Sequence, residues 1–198
     1  MKSVKKENMS VTETRKTDQQ AIDEKMKALC PKILGLFCPV HYDLHSKRKV
    51  FVPYELMVFS YRIGKAADPN KAAGSFCRAG EIALVFDMNE VHGFHFDLSE
   101  KLPLQRLDPA KIDGDILPER CSKNEAIEKS KDLIRFKYLN RGLSRGCTLD
   151  LVKREVFYRP AWELTVSALG KEMKRFAWLD HYGTESENIS GLKLRMNF

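Results

Sequence analysis

The stretch "KVFVPYELMV" at residues 49–58 returns, altered but in the same order, within "EVFYRPAWELTV" at 155–166. Both run Val-Phe, then a proline, then an aromatic residue with Glu-Leu behind it, and then Val. A matching signal lies upstream of each. Thr17-x-x-Gln20-Ala21-Ile22 and Ser122-x-x-Glu125-Ala126-Ile127 have the form of capping boxes, in which Thr or Ser caps a helix and Gln or Glu three residues on reaches back. Ala126 follows Ala21 by 105 positions, Val156 follows Val50 by 106 and Trp162 follows Tyr54 by 108. One register therefore joins a helix start to a strand in both halves, which points to an internal duplication.

The expected fold class is α+β: two tandem helix-plus-antiparallel-hairpin units, with sheets packed against helices. Residues 1–16 are polar, basic and poor in apolar positions, so they read as a disordered tail. The first unit spans 17–98, with Ile22, Met26 and Leu29 at helical spacing and Pro31 as a stop. Its hairpin pairs "KVFVPYELMVFSYRI" with "EIALVFDM" across the long loop "GKAADPNKAAGSFCRAG". Residues 99–121 carry Pro103, Pro109 and Pro118 without a sustained period and read as a linker, laid on the body through Leu102, Leu104, Leu107, Ile112 and Leu117. The second unit, 122–198, places Ile127, Ser130, Ile134 and Tyr138 on one helical stripe, and a hairpin turning at Gly170-Lys171 follows.

A helix that begins Ser-x-x-Glu-Ala-Ile and is followed by a hairpin whose second strand runs into an aspartate and a Gly turn resembles the PepSY domain. The resemblance covers residues 122–185 and, more faintly, 17–93. Where that family closes its hairpin with Asp-x-x-Thr-Gly, this chain has "DHYGTE" and "DMNEVHG". The resemblance implies a non-catalytic binding or regulatory module, inhibitory toward peptidases or concerned with assembly, that acts through protein–protein contact.

Strand alternation locates a surface for such contact. In the second copy Trp162, Leu164 and Val166 form an apolar face, and Glu163, Thr165 and Ser167 a polar one. In the first, Tyr54, Leu56 and Val58 match the apolar face, yet the other side, with Glu55, Met57, Phe59 and Tyr61, is largely apolar too. Each of the three large side chains left in water would forfeit about 1.5–3 kcal/mol. The linker, another protein or a second copy of the chain must cover them, and Glu55, Met57, Phe59 and Tyr61 are the expected binding surface.

Rival chemistries have their own residues. A net charge of +7 suits anionic partners, and "RFKYLNRGLSRG" offers Arg135, Lys137, Arg141 and Arg145 with Phe136 and Tyr138 interleaved, a mixture that can hold phosphates and stack bases. Cys30, Cys38, His41 and His45 are a zinc-like donor set, although seven residues separate the cysteines where zinc sites usually place two to four. His92 and His95 flank a Gly in "VHGFHFD", where a turn packed by Phe94 and Phe96 is the plainer account. Glu55 and Glu163 match between the copies and read as solvent-facing equivalents rather than as an acid/base pair. Neither a nucleophile elbow nor a phosphate loop is present, and Cys121 has no assignable His partner. No catalytic residue and no cofactor is expected. With no apolar run near 18 residues, no secretory signal and five cysteines without close pairing, the expected setting is the cytoplasm, without a membrane span.

Overall fold

Thr17 and Ser122 start helices in the way their spacing predicts. The Thr17 hydroxyl accepts the Gln20 N–H at 3.3 Å while Gln20 Oε1 accepts the Thr17 N–H at 3.0 Å, closing a reciprocal box. The Ser122 hydroxyl accepts the Glu125 N–H at 3.2 Å. In the computed structural model, which describes residues 8–29, 32–33, 36–37, 42–63, 78–139 and 147–180, the elements follow in order. They are β1 (Met9–Thr12), α1 (Asp18–Leu29), β2 (Lys32–Ile33), β3 (Leu36–Phe37), β4 (Asp43–Ile63), β5 (Arg78–Asp87), β6 (His92–Phe96) and β7 (Leu104–Leu107). A 3-10 turn (Pro109–Lys111), β8 (Asp115–Ile116), α2 (Lys123–Leu133), a π-helical turn (Ile134–Tyr138), β9 (Cys147–Ala168) and β10 (Lys171–Trp178) complete it.

Two tandem helix-plus-hairpin units are not what forms. The strands build one mixed eight-stranded sheet in the order β6-β5-β4-β9-β1-β7, with β8 on β4 and β10 on β9, and β2 pairs with β3 in a separate two-stranded sheet. Two compact units exist, but each draws on both halves of the chain: one holds residues 1–52, 102–117 and 157–198, the other 53–101 and 118–156. The physical reason is which hairpin buries each helix. In the first unit α1 lays Ala21 and Ile22 on Leu164, Val166, Ala177 and Leu179 of the β9–β10 hairpin. In the second, α2 lays Ala126, with Ile134 beyond it, on Met57, Phe59, Leu84 and Phe86 of β4–β5. Each helix covers the hairpin from the other half of the sequence.

Other boundaries move for similarly local reasons. The expected tail contains β1, whose Val11 and Thr12 are buried. The expected linker supplies β7, antiparallel to β1 with Val11 opposite Gln105, and β8, parallel to β4 with Phe51 opposite Ile116. Four- and two-residue strands are too short to show a period. The β9–β10 hairpin turns at Leu169-Gly170, where φ of 52° and 73° gives the positive-φ pair of a two-residue turn.

The two units repeat one hydrogen-bonding pattern, which fixes the register between the halves. The Arg15 N–H donates to Leu179 O in one unit and the Arg120 N–H to Met88 O in the other. Leu179 N–H donates to Pro160 O, and Met88 N–H to Pro53 O. Pro53 therefore matches Pro160, a spacing of 107 rather than the 108 that aligning Tyr54 with Trp162 gives. Met57 and Phe59 then match Leu164 and Val166, the residues that face the helix in each unit. A slip of one residue reverses the faces of a strand, so Glu55 and Glu163 are not equivalents: Glu55 stands in the helix-facing row and Glu163 in the opposite one.

Candidate functional site

The carboxylates that alternation placed in solvent are buried and paired. Glu55, fully buried, takes a two-pronged ion pair from Arg154, with Nε 2.8 Å from Oε2 and Nη2 on Oε1. The hydrogen bond to Glu55 raises the Arg154 pKa above its ordinary value. Glu163, also buried, binds Arg48 through Nη2 at 3.0 Å and Lys174 through Nζ at 2.8 Å. Burial alone would raise the Glu163 carboxyl; the hydrogen bonds from Arg48 and Lys174 outweigh it and hold the pKa below the usual range. Asp180 is fully buried and binds Arg159 twice, at 2.6 and 2.8 Å, with the Thr12 hydroxyl donating at 3.0 Å.

The surface expected from Glu55, Met57, Phe59 and Tyr61 is interior. Met57 and Phe59 have 0% exposure and Tyr61 is half-buried against the same cluster, because α2 supplies the cover that the linker or a partner was expected to give. Among the nucleic-acid candidates, Arg135 pairs with Asp132 at 3.3 Å and Lys137 is exposed, while Arg141 and Arg145 lie outside the described residues. Of the zinc-like set Cys30, Cys38 and His41 also lie outside them; His45 is within hydrogen-bonding distance of Ser167 Oγ at 2.7 Å.

Near the turn after β5, ligand atoms of Asp87, Glu90 and His92 gather within 4.8 Å of one another. The buried Asp87 Oδ1 already accepts the N–H groups of Asn89 and Glu90, both at 2.8 Å, so this carboxylate shapes the turn into β6. β6 then lies along β5 from Ala83 opposite Phe96 to Asp87 opposite His92. Gly93 permits the approach: a Cβ there would stand 3.0 Å from Phe86 Cδ2 and 3.1 Å from Leu133 Cδ2.

In the other unit β10 pairs with β9 from Lys171 opposite Ala168 to Trp178 opposite Ala161. Among the described residues, no strand pairs with its second edge. The Leu179 N–H bonds toward β9, so in the alternating antiparallel ladder Glu172, Lys174 and Phe176 direct their backbone N–H and C=O groups away from it. Lys171, Glu172 and Lys174 are exposed.

Lys25 of α1 adds a cation close by. It is 5% exposed, and burial, then repulsion from Arg175, lowers its pKa to about 8. Between about pH 8 and the ordinary 10.5 the unfolded chain holds a proton that the folded chain has released, so stability rises with pH across that window and the penalty is complete below it. Stability followed by urea titration should therefore climb between about pH 8 and 10.5, and Lys25→Met should remove that slope.

Comparison with protein-family models, curated proteins and solved structures returned no match to this chain.

Proposed function

We propose that this protein acts without catalysis, by binding another polypeptide. One observation carries the reading: in the unit of residues 53–101 and 118–156, Phe136 (60% exposed), Val152 (58%), Leu98 and Leu151 stand in water, while the buried carboxylate Glu55 is bound internally by Arg154. Transfer of a large apolar side chain out of water is favourable by about 1.5–3 kcal/mol, so a partner that covers even two of them gains appreciably. The likeness to PepSY units points the same way, toward a restraining or assembly role. No helix among the described residues is long and apolar enough to cross a membrane. The free thiols of Cys121 and Cys147 fit the reducing cytoplasm in which we place this activity.

The test changes Phe136 and Val152 to aspartate together. Being exposed, they should leave stability within about 0.5 kcal/mol per site. The wild-type chain used as bait in extracts of its own cells should retain a polypeptide, or a second copy of itself, that the double variant loses. Identical retention by both proteins would refute the reading.

A further inference from the structure

Among the described residues, the β4–β5 hairpin has a further strand on its outer edge and the β9–β10 hairpin has none. By the Met88–Leu179 equivalence, Ala83 and Val85 of β5 match Lys174 and Phe176 of β10. Ala83 and Val85 face β6 in register with Phe96 and Phe94. Lys174 and Phe176 face no described strand. Unpaired N–H and C=O groups along a strand edge are a template for one more strand, and the fold itself uses that template at the matching place.

Charge decides what can add there. β10 carries Lys171, Lys174 and Arg175 against the single Glu172. Glu163, on the opposite face, is bound by Lys174 and Arg48. A second copy of β10 laid antiparallel would set Lys174 opposite Lys174, or one step along Lys171 opposite Arg175 beside Glu172 opposite Lys174, so like charges meet in either register, and like charges directly opposite are destabilising. Phosphate groups can meet the cations but cannot continue a ladder of backbone hydrogen bonds.

We propose that the outer edge of β10, at Glu172, Lys174 and Phe176, accepts an extended acidic segment of a partner protein as an added antiparallel strand. This rests on the polypeptide-binding reading and names its surface. The partner's backbone takes the outward N–H and C=O groups of Glu172 and Phe176 and the Lys174 N–H, displacing Arg175 Nη1, which donates to Lys174 O at 3.0 Å, and its carboxylates meet Lys171, Lys174 and the released Arg175.

The test titrates the full-length protein with acetyl-Val-Glu-Val-Glu-Val-Glu-amide and with the same peptide bearing lysine for glutamate, while amide hydrogen exchange is followed residue by residue. The acidic peptide should bind saturably, weaken several-fold between low and physiological salt, and slow exchange at Glu172, Lys174 and Phe176 at least tenfold. Met173 and Arg175, already bonded toward β9, should change little. Lys174→Pro removes one outward N–H while leaving the β9 ladder intact, and should abolish binding. If that variant fails to fold, Lys171→Glu serves instead and should weaken the acidic peptide and strengthen the basic one. Absence of saturable binding, or equal binding of the two peptides, overturns the proposal. So does slow exchange at those three amides in the free protein, which would mean that the edge is already occupied by the chain's own remaining residues or by a second copy. Should the peptides fail while the Phe136/Val152 comparison still reveals a partner, the edge is refuted and the broader reading stands.

Discussion

Arg154→Met should lower the stability of unfolding by about 3–5 kcal/mol, because it strands the Glu55 carboxylate with no exposure to water and no cation. The loss comes from the charge left behind rather than from the worth of the bond, so Glu55→Leu added to Arg154→Met should recover most of it. Urea midpoints at pH 7 for the two single variants and the double variant give the comparison. A cost under about 1 kcal/mol for Arg154→Met would show that Glu55 reaches solvent.

The second large effect is at Phe59. Its ring lies under α2 among Met57, Leu84, Phe86 and Ile134, and truncating a buried Phe to Ala costs about 3–5 kcal/mol in lost transfer energy and residual cavity. Phe59→Ala should therefore shift the denaturation midpoint strongly, and Phe59→Asp, which adds an unpaired buried charge, should reduce soluble yield as well. A side chain on a partner-facing surface would behave in the opposite way, with the midpoint nearly unchanged and binding lost.

Those two residues also show where reading the sequence reaches its limit. Local signals were legible because their physics is local: Thr17 and Ser122 cap their helices through residues three positions away, and the strands around Pro53 and Pro160 announce themselves by composition. Alternation correctly showed that Met57 and Phe59 need cover. It carries no information about what supplies it, and α2 lies more than 60 positions on in sequence. Nor does alternation reveal that a glutamate in such a row has an arginine 99 positions away. The register error had a definite cause: Tyr-Glu-Leu and Trp-Glu-Leu look alike as strings, whereas the prolines, whose carbonyls accept the matching N–H groups, are the true landmarks. A signal for the correct pairing was present in the spacing of Pro53 and Pro160.

Crossing each helix over to the opposite hairpin has a consequence for how the chain is born. Residues 18–29 emerge from a ribosome long before the surface that α1 buries, from Leu164 to Leu179, has been synthesised. At about 5–20 residues per second the nascent helix waits many seconds before it can dock. During that interval Ala21, Ile22 and Met26 lack their native cover, and a chaperone that holds short amphipathic segments would have its opportunity there.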